Sequence, residues 1–293
     1  MIVTLASGKG GTGKTTVSAA LASVWPEPPI AVDLDVEEPN LHLFLKPHIL
    51  AQEKATMPIP EIDSSRCTYC GACSQLCQFK AIAVMGEVAL TFPEMCHGCG
   101  GCFRVCPENA LRPVTRELGE VSWGNAGAID FLMGRLRVGE AMSPPLMRAV
   151  KNRLDAMIAK RPKDVIIDAP PGVSCPAVNA VMDSDVIVMI TEPTPFGLYD
   201  LNLAREAFAP MNKPMGIVVN RTGLGDKRLY DYCQDHSLDI LAEIPYSREI
   251  AEAYSQGCII SEISDAQRDL FEGLAQRLLQ MAAAIDYEEA QHG

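Results

Sequence analysis

Gly8-Lys9-Gly10-Gly11-Thr12-Gly13-Lys14-Thr15 decides the reading of this chain. The stretch fits G-x-x-x-x-G-K-[ST], the pattern of a phosphate-binding loop. Its surroundings agree. Ile2-Val3-Thr4-Leu5-Ala6 is a short apolar run suited to a buried strand, and Thr15 to Val24 is rich in Ala and Leu, as a helix requires. Glycines let backbone N–H groups turn inward around a β-phosphate, and the helix N-terminus adds partial positive charge. Gly8, Gly10, Gly11, Thr12 and Gly13 are the expected cradle. Lys14 is expected on the β- and γ-phosphate oxygens, the Thr15 hydroxyl on Mg²⁺, and Thr16 near the α-phosphate. ATP and Mg²⁺ are the expected ligands.

Working outward, Pro29-Ile30-Ala31-Val32 reads as the next strand and ends in Asp33-Leu34-Asp35. Further on, Asp164–Asp168, Asp185–Ile190, Met215–Asn220 and Ile240–Ile244 read as strands, with helical stretches near 145–160, 197–210, 226–236 and 265–285. The alternation predicts an α/β fold whose sheet is mostly parallel and flanked by helices. Asp168-Ala169-Pro170-Pro171-Gly172 closes one of these strands. In such sheets the site assembles at the carboxyl ends of the strands, where Asp33, Asp35 and Asp168 stand.

Between the two α/β stretches the pattern breaks. Eight of the eleven cysteines lie between Cys67 and Cys106. Cys67, Cys70, Cys73 and Cys77 recur 29 residues later as Cys96, Cys99, Cys102 and Cys106, and Ala81-Ile82 recurs as Ala110-Leu111. A duplicated unit explains this. The expected organisation is therefore 1–56 and 116–293 as one P-loop domain, interrupted by a small α+β insert over 57–115. Met57-Pro58-Ile59-Pro60 reads as the linker into it.

Composition narrows the classes. With 293 residues, 48% hydrophobic and 21% charged, the chain buries a core and is not disordered. No apolar run reaches the length of a membrane span, and no export signal precedes the glycine loop. A cytoplasmic protein without membrane insertion is expected. The net charge of -12 disfavours nucleic-acid binding. Dense cysteine without export points to metal or redox chemistry.

Two resemblances sharpen this. A second lysine inside the loop, Lys9, resembles the deviant Walker A of the MinD/Mrp/ParA superfamily, which includes the nitrogenase iron protein. The resemblance implies that Lys9 contacts the nucleotide of a partner subunit, so that ATP binding and dimerisation are one event. It implies that Asp35 positions or activates the attacking water, that Asp33 lies near the metal and γ-phosphate, and that Asp168 holds Mg²⁺ through water. It also implies that the Gly172 N–H senses the γ-phosphate and that Asn220 contacts adenine.

The cysteine spacing is similar to that of bacterial ferredoxins with two [4Fe-4S] clusters, in which the fourth cysteine of each run ligates the other cluster. That likeness implies Cys67, Cys70, Cys73 and Cys106 for cluster I, and Cys96, Cys99, Cys102 and Cys77 for cluster II. Zinc is the alternative, which two identical 2-2-3 spacings fit poorly. Pro107 follows Cys106, whereas Gln78 follows Cys77. His97 sits inside the second run, as a surface residue or one that tunes its cluster.

The whole chain resembles MinD-superfamily ATPases with an inserted ferredoxin module. The resemblance implies ATP hydrolysis linked to electron transfer, a homodimer or a heterodimer with a similar paralogue, and a redox partner. Two alternatives remain: an Mrp-type iron–sulfur scaffold or carrier, and a MinD-like spatial regulator. The wide separation of Cys233 and Cys258 argues against the first. The acidic character around the helix carrying Leu270, Leu274, Leu278, Ala282 and Ile285 argues against the second. Cys175 reads as a structural or switch-linked thiol.

Overall fold

The computed structural model describes residues 1–292, and side chains as far as residue 283. Strands β1 (Ile2–Ala6), β2 (Ile30–Asp33), β3 (His48–Ile62), β4 (Ile82–Met85), β5 (Val88–Thr91), β6 (Leu111–Ala126), β7 (Ile129–Leu136), β8 (Val165–Asp168), β9 (Val186–Thr191), β10 (Met215–Thr222) and β11 (Asp239–Pro245) are joined by ten helices. These are α1 (Lys14–Val24), α2 (Leu41–Leu45), α3 (Ala72–Leu76), α4 (Gly101–Val105), α5 (Ser143–Lys160), α6 (Cys175–Val181), α7 (Pro195–Phe208), α8 (Arg228–Asp235), α9 (Arg248–Ser255) and α10 (Asp265–His292).

Nine strands form one sheet in the order β11-β10-β9-β1-β8-β2-β7-β6-β3. Pairing is parallel from β11 through β7, and antiparallel from β7 to β6 and from β6 to β3. This is the mostly parallel α/β sheet expected. Helices cover both faces, so the central strands are near-continuous runs of apolar residues. Val3, Leu5, Ile166, Val186 and Val188 face one core with Leu21, Phe271, Leu274 and Leu278. Ile167, Ile187 and Met189 face the other, with Leu146, Val150, Leu201 and Phe208. The apolar face of α10 thus packs inward. Leu274 and Leu278 are buried and Leu270 and Ala282 lie against the core, while Ile285, Asp286, Glu288 and Glu289 lie outside the described side chains.

The cysteine-rich segment leaves this sheet on a long arm. β3 and β6 pair from His48↔Asn125 to Ile62↔Leu111. The expected linker at Met57–Pro60 is therefore strand. Ala55, Met57 and Ile59 are buried while Thr56 and Pro58 are exposed, the period of two that a half-buried strand requires. The prolines of the segment hid it. Proline donates no ladder hydrogen bond, but β3 is an edge strand and Pro113 of β6 lies beyond the residues paired with β7, so Pro58, Pro60 and Pro113 each have one side with no strand to bond. The short hairpin β4–β5 and helices α3 and α4 sit at the end of the arm.

Candidate functional site

The strand order brings the phosphate loop and the acidic residues together. β8 lies between β1 and β2, and register pairs Leu5 with Asp168 and Asp168 with Asp33. The loop after β1 therefore opens beside two carboxylates on the adjacent strand ends. Gly13 caps α1 in the left-handed region at φ 95, and a Cβ there would lie 2.4 Å from Asn220 Nδ2. Asn220, at the end of β10, donates through Nδ2 to the Thr12 carbonyl at 2.7 Å and accepts from the Arg221 N–H at 2.8 Å. It braces the loop. Gly8 stands against Asp200, whose carbonyl a Cβ would meet at 2.1 Å. Lys14 and Thr16 are buried at the start of the helix, and the Thr12 Oγ1 is buried with no hydrogen-bond partner among the described residues.

Asp168 accepts from Ser18 Oγ at 3.1 Å and from the Thr15 side chain. Asp33 accepts from the Leu41 N–H at 2.8 Å and the Asp35 N–H at 3.2 Å. Burial, with the facing Asp168 carboxylate, holds the Asp33 carboxyl well above the usual carboxylate range. Asp168 is raised by burial, opposed by Lys14. Asp35 is pushed up to about 6 by burial, against the pull of Lys14. Three acidic side chains beside one lysine leave an excess of negative charge that a divalent cation would offset. The Gly172 N–H donates to the Ser7 carbonyl at 2.9 Å. Lys9 lies 3.9 Å from Glu192 and 3.8 Å from Asp200, and Glu192 also binds Arg221 at 2.7 Å.

The eight cysteines of the insert surround two separate spaces. Cys77, Cys96, Cys99 and Cys102 line a cavity of about 320 Å³, whose walls include Leu76, Phe79 and Phe103. Cys67, Cys70, Cys73 and Cys106 line a narrower one of about 20 Å³. The 29-residue repeat carries into the backbone. Tyr69 and Gly98, Gly71 and Gly100, and Lys80 and Asn109 all have positive φ at that offset. Gly71 and Gly100 cap α3 and α4, which run into Cys77 and Cys106. The Ala81 N–H donates to Cys77 Sγ at 3.3 Å, and the Ala110 N–H to Cys106 Sγ at 3.2 Å. Burial raises the Cys73 thiol, and pushes Cys102 up to about 11 with Cys96 and Cys99 close by. Among the described residues, no three His, Cys, Asp or Glu side chains converge tightly enough to hold a single metal ion. The thiols enclose a space rather than a point. His97 stacks on Phe79, with ring centroids 3.6 Å apart.

A family model described as the CobQ/CobB/MinD/ParA nucleotide binding domain matches residues 3–259. The chain belongs to this family. Two uncharacterised proteins of Methanocaldococcus jannaschii are similar over most of their length. MJ0578 is 31% identical, covering 94% of this chain and 96% of its own, and MJ0579 is 28% identical, covering 88% and 90%. One organism thus carries two chains like this one. Among solved structures, the septum site-determining protein MinD complexed with Mg-ADP from Pyrococcus horikoshii is similar at a TM-score of 0.58 and 19% identity, covering 94% of this chain and 95% of that one. A ParA family ATPase from Chlorobium tepidum is similar at 0.58 and 14%, covering 94% and 98%. At those identities the likeness is one of fold.

Within this MinD/ParA fold, the residues that sequence reasoning missed are second neighbours of the loop. Ser18 on Asp168 and Asp200 on Lys9 have no motif of their own, and nothing in the Thr191–Leu198 stretch marks Glu192 as the partner of Lys9. Ser18 lies four residues after Lys14, one helical turn along the buried face, which is the one sign the chain carries of it. Cys175 opens α6 with an exposed thiol, and Cys233 is buried, its thiol pushed up to about 11. No helix among the described residues is long and apolar enough to cross a membrane.

Proposed function

We propose that the chain is an ATPase that carries two [4Fe-4S] clusters on its inserted arm and that nucleotide-driven switching gates electron transfer through them. The observation that carries the reading is the segregation of the eight thiols. Each cavity is lined by the four cysteines that the ferredoxin likeness assigns to one cluster, including the crossed fourth ligand. Backbone N–H groups aimed at cysteine sulfur suit thiolate ligands, whose negative charge they offset. Two identical 2-2-3 cysteine spacings fit zinc poorly and suit two clusters. Bound clusters would supply one-electron carriage.

In the nucleotide site, Gly8 to Gly13 and Lys14 hold the phosphates, and the buried Thr12 hydroxyl finds a phosphate oxygen as partner. Thr15 and Asp168 are the residues that would hold Mg²⁺, and Asp33 lies beside them. Asp35, charged above a pKa of about 6, orients the water that attacks the γ-phosphate and accepts its proton. The family resemblance gives Asn220 an adenine contact, and its hold on the Thr12 carbonyl sets it beside the loop. A γ-phosphate contact by Gly172 requires its N–H to leave the Ser7 carbonyl. Lys9 likewise leaves Glu192 and Asp200 to reach the nucleotide of a second chain, a like copy or a paralogue. A separate redox partner takes or supplies the electrons.

The test is anaerobic purification with iron, sulfide and ATP turnover measured together, followed by an EPR-monitored redox titration with and without MgATP. The reading expects about eight irons per chain, phosphate release lost in Lys14→Ala, and potentials that move with nucleotide. A preparation with zinc in place of iron sinks the cluster half. Potentials indifferent to nucleotide sink the gating half.

A further inference from the structure

A buried ion pair joins the arm to the segment that follows β7. Arg116, on β6, gives its Nη2 to both oxygens of Glu140, at 2.7 and 2.6 Å, and the two side chains are 6% and 1% exposed. Glu140 also accepts from Arg137 at 3.3 Å and from the Ala141 and Met142 N–H groups at 3.0 Å. A carboxylate with so many donors has one conformation available.

Both ends of this clasp lead somewhere. On the insert side, Arg116 Nη1 donates to the Pro93 carbonyl. The same carbonyl accepts the Cys96 N–H at 3.1 Å. On the ATPase side, Glu140 lies four residues beyond the end of β7, whose last residue, Leu136, donates its N–H to the Val36 carbonyl at 2.9 Å. Val36 follows Asp35 directly. Its side chain packs where Gly134 has no Cβ, since one would lie 2.7 Å from Val36 Cγ1. A shift of the Asp35–Val36 backbone therefore pulls on β7, and the clasp passes it to the turn that holds Cys96.

We propose that Arg116 and Glu140 are positioning residues that transmit the nucleotide state of the Asp35 segment to the Cys96 loop. This rests on the nucleotide reading of the P-loop, and its readout does not depend on the clusters.

The experiment is hydrogen–deuterium exchange on the full chain, purified anaerobically, with and without Mg²⁺ and a non-hydrolysable ATP analogue. Iron content and analogue binding are measured on the same samples. In the native chain, nucleotide changes the opening equilibrium of residues 93–99 by about fivefold or more. In Glu140→Gln the change is lost while analogue affinity and iron content persist, and the single variant Arg116→Lys, which keeps a cation against Glu140, retains part of it. If Glu140→Gln fails to fold, the double variant Arg116→Met with Glu140→Leu replaces the pair by apolar side chains, which buried sites tolerate, and it too loses the response. A native chain that binds the analogue with no change at 93–99, or a folded variant that keeps the full change, overturns the proposal. Absence of iron counts against the cluster reading alone.

Discussion

Replacing Asp35 by Asn should stabilise the nucleotide-free chain while abolishing its ATP turnover. The Asp35 carboxyl is pushed from 3.8 to about 6, chiefly by burial. That rise corresponds to about 3 kcal/mol against the charged form. The side chain is only partly buried, so screening brings the figure to about 1–2 kcal/mol. The sign follows from proton binding. Well below pH 3.8 both folded and unfolded chains hold the proton and the group contributes nothing. Between pH 4 and 6 the folded chain binds more protons than the unfolded one, so stability falls as pH rises. Above 6 the loss is complete. Asn carries no charge to desolvate, and its Oδ1 can still accept from the Glu38 N–H. The variant should therefore exceed the native chain by much less near pH 4.5 than near pH 7.5, where the gain reaches several degrees in Tm. Anaerobic thermal melts at the two pH values, with phosphate release assayed in parallel, measure both effects. A gain of equal size at both pH values, or no gain at either, refutes the electrostatic account of the Asp35 site.

Three further outcomes are expected. Gly13→Ala places a Cβ 2.4 Å from Asn220 Nδ2 in a left-handed residue, so it should cost about 1–2 kcal/mol from backbone strain alone and weaken nucleotide binding, as calorimetry would register. Cys99→Ser and Cys70→Ser each remove a thiol from a different cavity, so each should lose about half the iron and leave the other cluster's EPR signal in place. Glu140→Ala should lower stability by about 3–5 kcal/mol because it strands a buried guanidinium, whereas the apolar double replacement with Arg116 should cost far less. A denaturation double-mutant cycle that finds the two losses additive would deny the coupling of the pair.

The chain announces its chemistry wherever chemistry needs residues at short, fixed spacing. A phosphate loop must be contiguous, because backbone N–H groups next to one another in sequence wrap the phosphate; Gly8 to Thr15 are therefore legible. The cysteine runs are legible for the same reason, and their duplication at an offset of 29 survives as paired positive φ values and paired N–H···S contacts. The central strands could be read because burial on both faces leaves them apolar throughout. The arm could not. Its strands carry prolines that propensity reads as a break, and only the vacant ladder positions at a sheet edge make them harmless. Around Lys14 the sequence shows that Asp33, Asp35 and Asp168 end strands, but not which of those strands are neighbours. Asp33 and Asp168 are 135 positions apart, and strand order alone sets them side by side. The same holds for Arg116 and Glu140, for Lys9 with Glu192, and for Asn220 under Thr12. These are contacts between remote segments, decided by which strand lies next to which, and packing rather than local pattern makes that choice.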